Sequence, residues 1–473
     1  MINLSDELLQ KIKSFSLLEN LEEHIASLKG FWQMLQCDES ALIELMNNKA
    51  QTVKGNAEHG PVLYMLNHNV SLPVQFILKR LGMPSSQIPK QDWANWMKSI
   101  TNGPGVVTAD GTIFLESLYA GLDPKWFEAL VDYIFFKVYK KGVAHFGTSP
   151  AKYAVASQDQ LSIAIVGDWG TGNYDDSGFP SPSSLVGKAI SALKPDITIH
   201  LGDVYYAGKA SEETTKLLTA FPAGKLASFT LNSNHEMYDG ANGYFNTALA
   251  NPVFVKQQGS SYFAVVFKDW VIIGLDTAYY DKSSLYMDGV LNDANQQLFI
   301  KSLGITAAQK VIVMCHHVGI QLDGQSVNDP LFTQVYTALG RYPDYWYYGH
   351  LHNGIVYNDA SITKNYKCPS GAHPQLRCIG NGAIPYGKAK GLQDATGKII
   401  PGISYFAHTP MPNPSHIPLI QLRVLNGFAM ITLQQGTISE KVYEVSASAT
   451  TVAWQSSPVS AANAQDVKRP LAV

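Results

Sequence analysis

Two short histidine-containing blocks are the residues of this chain best suited to chemistry. Ser233-Asn-His-Glu236 follows the apolar run 226–231, and Gly349-His-Leu-His352 follows the run 345–348. Imidazole and carboxamide groups at strand ends make poor core material, but they are good ligands for small cations of hard or borderline character. The two blocks therefore indicate a metal site.

Carboxylates that could complete such a site occur upstream in two further blocks. Asp168 lies in Val166-Gly-Asp-Trp-Gly170 and Asp203 lies in Leu201-Gly-Asp-Val-Tyr-Tyr206, each directly after an apolar run. His316 follows a third run, 310–315. Since ligands of α/β domains gather at the carboxyl ends of the strands, we expect all these side chains to meet at one rim. The set predicts a two-metal hydrolase.

The elements that must position these residues are short β-rich runs separated by helical stretches. Strands are predicted at 162–166, 196–201, 226–231, 262–267, 270–275 and 310–315, and helices at 183–193, 211–221 and 294–303. This alternation predicts an α/β domain whose sheet strands are buried by helices. After Gly427, two β-rich runs separated by Gln-Gln-Gly predict a hairpin.

The ordered blocks resemble the calcineurin-like metallophosphoesterase superfamily, and most closely its purple acid phosphatase branch. The matching motifs are Asp168-Trp-Gly170, Gly202-Asp-Val-Tyr-Tyr206, Ser233-Asn-His-Glu236, Val313-Met-Cys-His316 and Gly349-His-Leu-His352. The wider superfamily usually has Asp-x-His in the first block, whereas Trp169-Gly170 follows Asp168 here. The resemblance implies a four-layer α/β/β/α metallophosphoesterase sandwich. Apolar residues at helical spacing, such as Leu8, Leu9, Ile12 and Phe15, predict an N-terminal all-helical domain before it.

The resemblance also implies a ligand set for two metal ions. Asp168, Tyr206 and His352 would hold one ion, Asn234, His316 and His350 would hold the second, and Asp203 would bridge them. A Tyr206 phenolate suits Fe(III), and the second ion would be Fe, Zn or Mn. A packing role for Tyr206, beside an equally uninvolved Tyr205, remains an alternative.

By the same resemblance, His235 donates to the phosphate or to the leaving oxygen, and Glu236 orients His235. The predicted activity is that of a metal-dependent phosphatase, which hydrolyses phosphomonoesters with a metal-activated water. Two alternatives stay open: a phosphodiesterase on the same scaffold, and a partner-binding protein whose metal domain is regulatory.

Three segments are predicted along the 473 residues. Residues 1–150 form a helical domain of unknown role, which could bind a partner or dimerise. Residues 160–445 form the metallophosphoesterase domain, and residues 446–473 form a loose tail. Cys368 and Cys378 flank a loop, and the sequence leaves open whether they pair.

Composition restricts the partners. A net charge of −3 gives no support for binding nucleic acid through bulk electrostatics. No window is apolar for long enough to predict a membrane span. The first ten residues lack the basic and apolar regions of a Sec-type signal peptide, so we expect a cytoplasmic protein, or one exported by another route.

Overall fold

The computed structural model describes residues 142–456, except 157, 175–177 and 413–421, and scattered residues between 106 and 137. The helices predicted within residues 1–105, and the tail beyond residue 456, lie outside the described residues.

Strands and helices alternate between residues 161 and 348, as predicted. In chain order the strands are β1 (Val106–Val107), β2 (Ile113–Phe114), β3 (Ala151–Ala154), β4 (Leu161–Val166), β5 (Ile197–His200), β6 (Ala227–Thr230), β7 (Phe263–Phe267), β8 (Trp270–Gly274), β9 (Lys310–Cys315), β10 (Tyr345–Tyr348), β11 (Gly354–Tyr357), β12 (Gln375–Ile379), β13 (Ile403–Phe406), β14 (Asn426–Gln434), β15 (Thr437–Val445) and β16 (Thr450–Gln455). The α-helices are α1 (Pro182–Leu193), α2 (Ala210–Glu212), α3 (Asn234–Tyr238), α4 (Ala294–Ser302) and α5 (Asp329–Leu339).

Two sheets form the body of the domain. One has six strands in the order β16-β15-β14-β4-β5-β6, and the other has eight in the order β13-β11-β12-β10-β9-β8-β7-β3. The strands β4, β5 and β6 are parallel neighbours in the first sheet, and β8, β9, β10 and β12 are parallel neighbours in the second. The carboxyl ends of each parallel set therefore lie at one edge of its sheet.

Alternating side chains of these strands build three apolar layers. Ile163 of β4 and Ile312 of β9 share the core between the sheets. Ala164 of β4 faces the other way and packs with Val186 of α1. Val311 of β9 packs with Val335 of α5 on the far side of the second sheet. Both faces of the parallel strands are thus buried, which explains their continuous apolar runs, and the four-layer α/β/β/α sandwich is confirmed.

A buried ion pair also joins the two sheets. The Nε and Nη2 atoms of Arg377, on β12, donate to the two carboxylate oxygens of Glu440, on β15, each at 2.9 Å. The Tyr347 hydroxyl donates to Glu440 Oε1 at 2.6 Å. Two parallel hydrogen bonds fix the guanidinium against the carboxylate in one geometry, so this pair helps to hold the sheets in register.

The six predicted strands and the hairpin formed by β14 and β15 are confirmed. The strand β3, which comes before the predicted start of the metallophosphoesterase domain at residue 160, belongs to its second sheet, because it pairs in parallel with β7. The prediction of a loose tail from Ser446 is wrong for β16, which pairs with β15. Both are edge strands, and edge strands lack the continuous apolar runs of central ones.

Two further expectations concern the N-terminal part and the cysteines. The four residues of β1 and β2 form an antiparallel pair, which the prediction of an all-helical segment did not include. Cys368 and Cys378 are buried free thiols. Among the described residues, no helix combines the length and apolarity needed to cross a membrane.

Candidate metal centre

The predicted ligands lie at adjoining edges of the two sheets. Asp168 and Asp203 follow β4 and β5, whereas His316 and His350 follow β9 and β10. The backbone turns sharply at these positions: φ is +56° at Asp168, +73° at Asp203 and +67° at His350. Positive φ is uncommon for residues other than glycine and is concentrated at functional sites. The turns direct side chains from separate strands towards one buried space.

The Asp168 carboxylate is contacted by groups from the opposite sheet. The backbone N–H of His350 lies 3.2 and 3.0 Å from its two carboxylate oxygens, and His352 Nε2 lies 3.4 Å from Oδ1. A Cβ atom added to Gly349 would stand 2.4 Å from Asp168 Oδ2. The glycine is therefore required for this close approach.

Asp203 occupies the centre of the cluster. Its Oδ1 lies 3.2 Å from His316 Nε2, and its Oδ2 lies 3.7 Å from His352 Nε2. On the same side, the Tyr205 hydroxyl is 2.9 Å from Oδ2. This fully buried carboxylate thus contacts groups from both halves of the site, as a bridging ligand would.

The environment of His316 fits a cation. Its Nδ1 lies 3.0 Å from the carbonyl oxygen of Leu201, which can only accept, so Nδ1 carries the proton. In the neutral ring, Nε2 then presents a lone pair, yet it faces Asn234 Oδ1 at 2.8 Å and His350 Nδ1 at 3.0 Å, besides the Asp203 carboxylate. The Asn234 and Asp203 oxygens that converge with this lone pair in a buried space favour a positive charge among them.

A metal ion meets that requirement. One ligand atom each from Asp168, Asp203 and His316 lies within 4.8 Å of the others, and all three residues are buried. The contacts above add Asn234, His350 and His352 to the same space. Carboxylate, amide and imidazole donors together suit Zn, Mn or Fe. The residues present therefore fit the metal pair that the resemblance implies.

His235 lies beside this cluster. Its Nδ1 is 2.8 Å from the carbonyl oxygen of Tyr206, so the proton on this atom is directed to the backbone. Its Nε2 faces the cluster, 3.8 Å from Asp203 Oδ2. The ring is therefore oriented with Nε2 towards Asp203.

Glu236 contacts the loops that carry the ligands. Its Oε1 accepts from the backbone N–H of Val204 at 3.1 Å, and Oε2 contacts the Ser233 hydroxyl. Burial, followed by repulsion from Asp203, raises the pKa of Glu236 to about 8. At neutral pH the protonated carboxyl can donate to Ser233, leaving the Ser233 hydroxyl free to donate to Asp203 Oδ1.

Ser233 helps to position the candidate site, a role that the sequence interpretation did not predict. As the N-cap of α3 it accepts from the backbone N–H of His235 at 3.0 Å, while it also contacts Asp203. A serine before a short helix is a recognised capping signal, and Ser-x-x-Glu is a recognised pattern at helix starts. That pattern was present in the sequence.

The two adjacent tyrosines are placed differently. The Tyr205 hydroxyl lies 2.9 Å from Asp203 Oδ2 and 3.0 Å from His352 Nε2. The Tyr206 ring stacks on the Tyr119 ring, with centroids 4.8 Å apart, and Lys216 Nζ lies 4.7 Å from the Tyr206 centroid. The phenol group between the two candidate ligands Asp203 and His352 is thus that of Tyr205.

Two residues next to His316 have supporting contacts. His317 Nδ1 is 2.8 Å from the Thr277 hydroxyl, and its Nε2 is 2.7 Å from the Tyr286 carbonyl oxygen. Burial raises the pKa of the Cys315 thiol to about 12, and Trp346 Nε1 donates to its sulfur. A thiol that stays protonated is a poor nucleophile, so Cys315 serves the core.

Comparison with known proteins bears on the same segment. Residues 161–354 match the family model described as calcineurin-like phosphoesterase. Curated proteins gave no match.

Among solved structures, the chain is similar to "Structure of PhoD", with 11% identity and a TM-score of 0.40, over 65% of this chain and 74% of that one. It is also similar to vacuolar protein sorting 29 from Cryptosporidium parvum, with 14% identity and a TM-score of 0.27, over 63% of this chain and 100% of that one. A predicted phosphoesterase from Streptococcus pneumoniae has 8% identity and a TM-score of 0.23, over 63% and 100%. At these values the likeness carries no information on substrate.

Proposed function

Residues 161–354 belong to the calcineurin-like phosphoesterases, and from this premise we propose that the protein is a dinuclear-metal phosphomonoesterase. The observation that carries the proposal is the convergence on Asp203. Its carboxylate lies 3.2 Å from His316 Nε2 and 3.7 Å from His352 Nε2, in a fully buried space that Asp168 also enters. A shared carboxylate among nitrogen and oxygen donors is the arrangement that a two-metal hydrolase needs.

We assign the ligands by this geometry and by the motif resemblance. Two metal ions would be held by Asp168, Asp203, Asn234, His316, His350 and His352, with a phenolic oxygen from the Tyr205–Tyr206 pair. We propose Fe(III) at the phenolate position and Fe, Zn or Mn at the other. When bound, the pair supplies a nucleophile at neutral pH and neutralises charge that develops on the phosphate oxygens.

Residues of the chain itself orient the ligands, transfer the proton and position the loops. Asp203 and Asp168 hold their orientation through His316, His352 and the backbone of His350. His235, fixed by the Nδ1 contact with the Tyr206 carbonyl, gives a proton from Nε2 to the leaving oxygen when both of its ring nitrogens carry protons. Glu236 and Ser233 keep the Asp203 loop in place through Val204.

The burial of the proposed ligands is our reason for proposing a monoester instead of a diester. Asp168, Asp203 and His316 are fully buried, and His352 is only 7% exposed. A terminal phosphate carries one substituent and can enter a confined site end-on. An internal diester carries two substituents and needs an open groove on both sides of the phosphorus. We therefore propose terminal phosphate groups as the substrate class.

The test is an assay of the full chain on two matched esters. Metal-depleted protein is supplied separately with Mn²⁺, Zn²⁺ or Fe, and its hydrolysis of p-nitrophenyl phosphate and bis(p-nitrophenyl) phosphate is measured. We expect metal-dependent activity that a chelator abolishes, with kcat/KM at least ~10-fold higher for the monoester, because the confined site disfavours a second substituent.

The outcomes separate the parts of the proposal. A preference for the bis ester would overturn the monoester assignment while leaving a metal-dependent phosphoesterase. Metal bound without hydrolysis of either ester would favour a regulatory metal domain. Protein that binds no metal would overturn the proposed function entirely.

A further inference from the structure

Tyr205 and Tyr206 are adjacent and both buried, with 0% and 6% exposure, but they face different surroundings. We propose that Tyr205, rather than Tyr206 at the family motif position, supplies the phenolic oxygen to the metal pair. This inference rests on the proposed function, because it names a ligand of the same site.

The first argument is the position of the Tyr205 hydroxyl. It lies 2.9 Å from Asp203 Oδ2 and 3.0 Å from His352 Nε2. Two ligands that meet at a right angle on bonds of about 2.0–2.1 Å are themselves about 2.9 Å apart. The hydroxyl therefore has the spacing of a neighbouring ligand from the shared carboxylate and from an imidazole of the opposite sheet.

The second argument is the packing around the hydroxyl. The Tyr205 ring meets the His235 ring edge to face, with centroids 4.6 Å apart. Tyr205 is fully buried, so water does not compete for its hydroxyl. The packed ring therefore keeps the hydroxyl directed at Asp203 and His352.

The third argument is the placement of Tyr206. Its ring lies nearly parallel to that of Tyr119, at an interplanar angle of 19°, and the ammonium group of Lys216 lies over its face. The Tyr119 hydroxyl is in turn held by the carbonyl oxygen of Thr171 at 2.5 Å. These contacts place the Tyr206 ring in a stack that forms part of the wall of the domain.

The Tyr206 main chain has a separate role. Its carbonyl oxygen accepts from His235 Nδ1 at 2.8 Å, and its backbone N–H donates to the Glu212 carboxylate. Replacement of the Tyr206 side chain leaves both of these backbone contacts available. Tyr206→Phe is therefore a closely matched control for Tyr205→Phe, since each variant loses one hydroxyl and keeps one ring.

The experiment compares the visible absorption spectra of three full-length proteins. Wild type, Tyr205→Phe and Tyr206→Phe are depleted of metal and loaded with ferric ion, and the bound iron is measured by elemental analysis. We expect a tyrosinate-to-Fe(III) charge-transfer band in wild type and in Tyr206→Phe. We expect Tyr205→Phe to retain at least half of its iron but to lose nearly all of the band per iron.

Three results would overturn the assignment. These are a band that persists in Tyr205→Phe, a band that disappears in Tyr206→Phe, and iron-loaded wild type with no band at all. The last result would mean that the Tyr205 hydroxyl only hydrogen-bonds to Asp203. If Tyr205→Phe does not fold, as judged by circular dichroism, Tyr206→Phe decides the matter, since a retained band supports Tyr205 and a lost band excludes it.

Failure of this assignment is distinguishable from failure of the proposed function. Wild type that hydrolyses the monoester with added metal, while Tyr205→Phe keeps its band, would refute the ligand assignment alone. Wild type that neither binds ferric ion nor hydrolyses the ester would refute both.

Discussion

The two sheets contribute different donors to the candidate metal centre. The loops of the six-stranded sheet bring Asp168, Asp203 and Asn234, which offer oxygen, whereas the loops of the eight-stranded sheet bring His316, His350 and His352, which offer nitrogen. We call these the oxygen rim and the nitrogen rim. Neither rim alone provides the mixed donor set of a two-metal site.

Because each sheet supplies only one kind of donor, the geometry of the site depends on the relative position of the two sheets. Contacts cross between the rims at the backbone as well as at the side chains: His350 N–H reaches Asp168, and His316 Nδ1 reaches the carbonyl oxygen of Leu201. The shared core between the sheets, with Ile163 and Ile312, fixes their separation. Packing far from the cluster therefore sets the distance between oxygen and nitrogen ligands.

The largest effect should come from the residue that joins the rims. Asp203→Asn keeps the side-chain size but removes the charge shared by His316 and His352. We expect kcat/KM for the monoester to fall by roughly 10³-fold, at the upper end for loss of one stabilising group. His352→Gln changes one nitrogen donor at the outer edge, so we expect a smaller fall of about 10²-fold.

Kinetics, bound metal and circular dichroism of the two variants check this ranking. Metal content should fall in both, and more strongly in Asp203→Asn. Equal losses, or a greater loss in His352→Gln, would show that Asp203 is not the shared centre of the two rims.

The second effect tests the closeness of the rims. In Gly349→Ala the new Cβ would stand 2.4 Å from Asp168 Oδ2, so one rim must move away from the other. Displacement of a reacting group by about 1 Å can cost about 10²-fold in rate, and we expect a loss of that order in kcat/KM.

Gly304→Ala is the matched control. Gly304 has φ of +61°, and a Cβ there would meet no atom within 4 Å. Alanine at such a positive φ strains the backbone, so we expect a loss of about 1 kcal/mol in the free energy of unfolding but unchanged kcat/KM. Unchanged activity in Gly349→Ala as well would mean that the rims tolerate separation.

The strands that carry the two rims were predictable because they are buried on both faces. Continuous apolar runs marked β4, β5, β6 and β9, and polar residues of metal-binding type at their ends marked the candidate ligands. The edge strand β16 was not predictable from burial, because five of its six residues are exposed. This strand forms because it pairs with β15, and the residues of β16 alone do not indicate that pairing.

The tyrosine pair shows a limit of a different kind. Tyr205 and Tyr206 are chemically identical neighbours, so composition and spacing from Asp203 cannot decide which ring faces the nitrogen rim. That choice depends on the backbone path after Asp203 and on Tyr119 and Lys216, which pack against Tyr206 from elsewhere in the chain. Motif position indicated Tyr206, whereas the three-dimensional contacts favour Tyr205 as the ligand.

The last prediction concerns the pH dependence of stability, and it tests a histidine of the core that lies outside the nitrogen rim. His200 is the last residue of β5 and is fully buried, with Nδ1 3.1 Å from the Thr230 hydroxyl. Burial lowers the pKa of His200 to about 3, although Asp203 opposes this. The unfolded chain therefore binds more protons than the folded one between pH 3 and 6.5, so His200 makes the protein less stable as pH falls below 6.5.

We expect His200→Gln to remove this contribution, which amounts to at most about 1.4 kcal/mol per pH unit. Urea unfolding of wild type and variant between pH 7.5 and pH 4.5 measures it, and the variant should gain relative stability as pH falls. His145→Gln is the matched control, because it removes an exposed imidazole instead of a buried one. A His200→Gln variant that follows the wild-type pH dependence would show that this acid sensitivity does not arise from the core histidine.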